Sequence, residues 1–90
     1  MILGQVVGSV VSTQKDKNLV GKKLLIVKAI DLEGNFLESF VVAVDIVGVG
    51  SGEKVLVVSG SSARQTDQTR DQAVDSVIVA KVDSYSFDKS

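Results

Sequence analysis

The run from Lys22 to Val47, KKLLIVKAIDLEGNFLESFVVAVDIV, decides how this chain folds. Between about Lys22 and Asp31, Leu24, Ile26 and Ile30 alternate with Leu25, Val27 and Ala29. That is the period of a pleated strand, not of a helix. Glu33-Gly34-Asn35 then interrupts the pattern. A glycine between polar residues, set between two apolar runs, is a turn signal and predicts a hairpin. Apolar residues resume at Phe36 and run to Val47 as the second arm.

Working outward, Met1 to Thr13 also reads as a strand, with Leu3, Val7 and Val11 on one parity and Ile2, Val6 and Val10 on the other. Apolar residues on both parities are expected where both faces of a strand become covered. Gly4 and Gly8, four apart on the parity of Ile2 and Val6, mark either a bend with close backbone approach or small residues filling tight space. Gln14 to Asn18 is a polar loop. On the other side of the hairpin, Gly48-Val49-Gly50-Ser51-Gly52-Glu53 is a glycine-rich connection into a fourth strand, Lys54 to Ser59. Gly60 to Asp75 is polar and predicts a short helix capped by Ser61 or Ser62. A fifth strand runs from Ser76 to about Asp83, extending toward Phe87, before a frayed tail at Asp88-Lys89-Ser90. Five strands and one helical insert predict an all-β domain with one short helix, a small closed or half-closed barrel over residues 1–90.

Composition supports strands and removes several chemistries. Eighteen Val and five Ile in 90 residues suit a pleated sheet, because branching at Cβ restricts χ1 in a helix. There is no Pro to break a strand. Without Cys or His, the chain has no disulfide, no thiolate nucleophile, no soft metal site and no imidazole base. The lack of Cys is compatible with a cytosolic address. The N-terminal residues lack the basic opening and cleavage site of a signal peptide, and no apolar run approaches the roughly 20 residues that span a bilayer. Ten basic against eleven acidic residues leave a formal charge of −1, whereas nucleic-acid binders show a net basic face.

The candidate chemistry is sparse. Gly48-x-Gly50-x-Gly52 lacks the Lys-Ser/Thr of a phosphate-binding loop, and Glu53 stands where the third glycine of a dinucleotide fingerprint belongs. A strand follows it, and a carboxylate beside the loop repels phosphate. Two readings stay open: the glycines permit positive φ in a tight turn, or they face a symmetry axis where only small residues fit. Asp45 with Glu53, and Asp71 with Asp75, are carboxylate pairs of the kind that solvated surfaces also carry. Ser59, Ser61 and Ser62 have no His to activate them. No catalytic, metal or cofactor site is assigned. The rival from another class is a single-strand nucleic-acid binder on the same barrel, stacking bases on aromatics such as Phe36 and Phe40. Core packing is the favoured reading of those two rings.

Several segments together resemble one family. They are Met1 to Gly8, Gly21 to Val27, Val42 to Val57, Gly60-Ser61-Ser62-Ala63-Arg64, and Val74 to Asp83. Asp45 to Glu53 followed by Gly60 to Arg64 is the most specific part. In order and length these resemble the bacterial microcompartment vertex proteins, the EutN/CcmL family. The resemblance implies a five-stranded, OB-like barrel that assembles as a cyclic homopentamer in the shell of a microcompartment in the cytoplasm. There, fivefold units supply the curvature that flat tiling by hexameric shell proteins lacks. It implies no catalysis, cofactor, nucleic acid or membrane. Gly48, Val49, Gly50, Ser51, Gly52 and Glu53 would lie near the central axis and shape a narrow pore, with Asp45, Ser61, Ser62, Ala63, Arg64 and Asp75 as motif or interface positions. Val49 stands where many members have Ala, which would narrow that opening. Ala73 stands where a Pro is common, which would loosen the start of the last strand.

Overall fold

A computed structural model describes residues 1–11, 23–59 and 76–88. It contains five strands: β1 (Ile2–Val10), β2 (Lys23–Ile30), β3 (Phe36–Asp45), β4 (Lys54–Ser59) and β5 (Ser76–Val82). The hairpin is present, with β2 and β3 antiparallel. Asp31 organises its turn by accepting hydrogen bonds from the backbone N–H groups of Glu33 and Asn35, both at 2.9 Å. Gly34 supplies the left-handed residue, φ 88°. The strands close into a barrel in the order β1-β2-β3-β5-β4, with β4 returning to β1. Among the described residues only β3 and β5 pair in parallel. This is the five-stranded barrel expected from the sequence, in the strand order of an OB-like fold.

The core is narrow and built mostly of valine. Val6, Val27, Val49, Val55 and Val57 pack with Leu25, Ala43 and Ile78, and Ile2 and Val41 lie against them. A barrel's bore scales with its strand number, so five strands leave room for branched side chains and little more. A second cluster, centred on buried Val44 and Val77, joins Leu24, Ile46, Val58 and Val79.

The two glycines of β1 have separate roles because the register shifts between Val6 and Gly8. Before the shift, Gly4 pairs with Ala29 and Val55, so it faces inward. After it, Gly8 and Val10 pair with Ile26 and Leu24, whose neighbours Leu25 and Val27 fill the core. A bulge at Val7 therefore turns Gly8 outward, although it has the parity of Gly4. A Cβ on Gly4 would stand 2.5 Å from Val27 Cγ1 and 2.9 Å from the Lys28 carbonyl oxygen. Close approach of β1 and β2 thus requires glycine there. Gly4→Ala is expected to destabilise the chain by about 1–3 kcal/mol, the usual cost of overpacking, and Gly8→Ala by much less. Chemical denaturation of the two variants checks this ordering.

Three boundaries fall short of the sequence reading. β1 stops at Val10 rather than Thr13, β3 at Asp45 rather than Val47, and β5 at Val82 rather than Asp83 or beyond. The early end of β3 has a clear cause: Asp45 takes the following backbone amides onto its carboxylate, which curls the chain away from the sheet. After β5 the chain leaves the sheet. Tyr85 donates its hydroxyl to the Leu32 carbonyl at 3.0 Å and stacks with Phe87, and Lys54 Nζ lies 5.9 Å from its ring centroid. The expected helix, the Gln14 to Asn18 loop, Lys89 and Ser90 of the tail, and Ser61, Ser62, Ala63, Arg64, Asp71, Ala73 and Asp75 lie outside the described residues. The expected packing of the two phenylalanines is overturned. Phe36 and Phe40 are not core residues but stand on the outside of β3, 53% and 62% exposed.

Candidate functional site

The glycine-rich connection is a rigid, braced projection. Asp45, the last residue of β3, accepts three backbone hydrogen bonds in succession. Val47 and Gly48 donate to Oδ1 at 2.9 and 2.8 Å, and Val49 donates to Oδ2 at 2.9 Å. Three consecutive amides converge on one carboxylate because Gly48 adopts φ 95°, a conformation without steric cost for glycine. Partial desolvation pushes the Asp45 carboxyl up. The amides of Gly48, Val47 and Val49, with the charge of Lys23, outweigh it and hold the group below its ordinary value.

A second carboxylate braces the far side. Glu53 Oε1 accepts the Gly50 N–H at 3.0 Å, while the Glu53 N–H donates back to the Gly50 carbonyl at 3.3 Å. Glu53 Oε2 is shielded from solvent and lies 3.0 Å from Lys81 Nζ on β5. Its contact with Lys81 is an ion pair without good hydrogen-bond angles. Lys81 and then the Gly50 N–H hold the Glu53 carboxyl below its ordinary value, against desolvation and the nearby Asp45 charge. Lys81 is raised in turn, by Glu53 first and Asp83 second.

The loop is also tied to the barrel wall. Gly52 donates to the Val6 carbonyl at 2.8 Å and the Glu53 carbonyl accepts the Val6 N–H at 2.9 Å, extending the β1–β4 ladder by one rung. Gln5 Nε2 donates to the Gly52 carbonyl and Lys23 Nζ to the Val49 carbonyl, each at 3.0 Å. Val49 drives its side chain into the core, where it is 1% exposed. This corrects the expectation that Val49 narrows an opening, since its side chain fills the barrel instead. Ser51 and Gly52 remain as the exposed tip.

Chemically, this arrangement holds a backbone conformation. Each carboxylate of the Asp45 and Glu53 pair already binds its own loop amides, and Glu53 is further neutralised by Lys81. The glycines also separate by role. Gly48 and Gly52 have φ of 95° and 85°, whereas Gly50 does not adopt a positive φ. A Cβ at Gly50 would meet only Glu53 Oε1, at 3.4 Å. Local geometry thus requires glycine at two of the three positions and leaves the third free.

Sequence reasoning singled out Asp45 and Glu53 and missed their partners. Lys23, Lys81 and Gln5 reach the loop from β2, β5 and β1, and no local spacing announces such contacts. Lys81 interrupts the apolar run from Val77 to Val82 directly opposite Val55, which is the one trace of it in the pattern.

The comparisons with known proteins agree with one another. The family model described as ethanolamine utilisation protein EutN/carboxysome matches residues 1–83. The Salmonella typhimurium protein named bacterial microcompartment shell vertex protein PduN is 46% identical over 90 residues, covering 96% of this chain and 99% of that one. Among solved structures, CcmL of Gloeobacter violaceus superposes with a TM-score of 0.91 at 42% identity, covering 98% of this chain and 91% of its own. The GrpN pentameric microcompartment shell protein from Rhodospirillum rubrum superposes with a TM-score of 0.88, also at 42% identity, covering 97% and 99%. A barrel of this strand order, a braced glycine loop and a family match across nearly the whole chain lead to one assignment: the chain belongs to the EutN/CcmL family.

Proposed function

We propose that this chain is a structural shell protein that forms cyclic pentamers at the vertices of a bacterial microcompartment in the cytoplasm. The observation that carries the reading is full-length similarity to shell proteins, one of them a solved pentamer matched over 99% of its length. Each pentamer closes the polyhedral shell by supplying fivefold curvature among hexameric facet proteins. The role needs no catalysis, cofactor, nucleic acid or membrane, and it makes assembly the activity. The glycine loop faces the fivefold axis, with Gly50, Ser51 and Gly52 where five copies converge and Asp45 and Glu53 holding them in place. Ser61, Ser62, Ala63, Arg64 and Asp75 serve as motif or interface positions.

The physical support is that a rigid loop with a small-residue tip, one of whose glycines has no local need to be glycine, suits a crowded axis. The single-strand nucleic-acid reading is not favoured: Phe36 and Phe40 stand exposed as it would require, but family membership accounts for the barrel and the near-even charge balance gives no excess of basic residues. Native mass spectrometry at micromolar concentration tests the proposal. A five-copy species is expected, and a stable monomer or dimer across a range of salt would overturn it.

A further inference from the structure

The barrel closes between β3 and β5 over only two residue pairs, and its outer wall offers apolar side chains through which copies can join. Two such faces extend from β1 in opposite directions around the barrel. The first spans β1, β2 and β3. Its rows run Gly8–Ile26–Val42 and Gln5–Lys28–Phe40 across the three strands. Phe40 and Val42 are 62% and 44% exposed. Gly8 leaves the β1 side of the face low, so the large exposed side chains of β3 stand proud of it.

The second face spans β1, β4 and β5. Leu3 pairs with Leu56 and Leu56 with Ala80, while the adjacent Val55, Val57 and Ile78 fill the core, so this row points outward. It forms the floor of a groove of about 580 Å³, with Tyr85 and Asp83 on its margin. One face is raised and the other hollow, and both are apolar at the centre. Lys28 lies in the first face beside Phe40, and the second carries Asp83 as its acidic residue, with Lys81, already paired to Glu53, also on its lining.

A closed ring of identical chains needs such a heterologous pair, because each copy presents one face to the copy before it and a different face to the copy after. We infer that the ring interface seats Phe40 and Val42 of one copy in the Leu3–Leu56–Ala80 groove of the next. The inference rests on the pentamer reading and adds to it which surfaces meet.

Because the chain has no cysteine, engineered thiols test the contact without background. Phe40→Cys and Leu56→Cys are combined in one chain, oxidised under assembly conditions and run on a non-reducing gel. The expected result is a ladder ending at five times the chain mass, while either single variant stays at the mass of one chain. Val42→Cys with Leu3→Cys is the second pair, should the first fail to fold by circular dichroism, and the same ladder is expected. A pentameric wild type whose two double variants both stay uncrosslinked overturns the interface and leaves the pentamer standing. A wild type that is not pentameric overturns the pentamer reading itself, and the interface with it.

Discussion

Gly50→Leu is expected to give a folded chain that does not assemble. Gly50 does not adopt a positive φ, and the nearest atom to an added Cβ would be Glu53 Oε1 at 3.4 Å. The hydrogen bond from its N–H to Glu53 uses backbone only and survives the substitution. Stability of the isolated chain should therefore change by about 0.5 kcal/mol or less, the range of surface substitutions. At a fivefold axis the same four carbons are present five times in one small volume. Overpacking costs about 1–3 kcal/mol per site, so the ring as a whole loses roughly 5–15 kcal/mol and dissociates at micromolar concentration. Gly48→Leu and Gly52→Leu give the contrast: both demand a left-handed residue and should lower the stability of the chain itself. Native mass spectrometry with chemical denaturation separates the two patterns. If Gly50→Leu remains a stable pentamer, the loop tip does not meet its copies at the axis.

The difference between Gly50 and its neighbours also shows what the sequence could and could not disclose. Strand β4 was legible to the residue because Gly52 and Gly60 bracket a continuous apolar run. The hairpin was legible because Gly34 interrupts two such runs. The end of β3 was not legible: Ile46 and Val47 are as apolar as the strand before them, and only the capture of the Val47, Gly48 and Val49 amides by Asp45 stops it. The facing of side chains was the largest miss. Where apolar residues occupy both parities, alternation does not say which set turns inward, and a bulge at Val7 exchanges the sets midway along β1. Composition reads Phe36 and Phe40 as core residues, whereas both stand outside a core built mostly of valine. The glycine loop stood out by composition, but its braces come from three distant strands through Gln5, Lys23 and Lys81. Contacts of that range are settled by the barrel's closure and leave almost no local pattern.

Asp45→Ala is expected to loosen the loop while the barrel persists. The substitution removes the acceptor of three consecutive amides, two near the surface and the Val49 N–H partly buried. Water can rehydrate the outer two, whereas Val49 is anchored by its side chain in the core and cannot turn its amide outward. A cost of about 2–3 kcal/mol follows from leaving such donors unsatisfied. That is a large share of the 5–10 kcal/mol, on the order of which a domain this size is stable. Hydrogen exchange at Val47, Gly48 and Val49 should accelerate by roughly 30–100-fold, a tenfold change corresponding to about 1.4 kcal/mol, while the amides of β2 keep their protection. Acid should reproduce the effect in the unaltered chain. The folded Asp45 carboxyl lies below its ordinary 3.8 and the Glu53 carboxyl below its ordinary 4.5. Their stabilisation is thus complete above those values and disappears as pH falls through the lower folded ones. Lys81 is raised above 10.5, so its share is lost only as pH rises through that higher folded value. Loop protection should therefore be flat between about pH 5 and 10 and collapse on the acid side, and Asp45→Ala should show a shallower acid limb because one of the two titrating braces is gone. Equal acid limbs in the two proteins would mean that Glu53 with Lys81, and the ties to β1, hold the loop without Asp45.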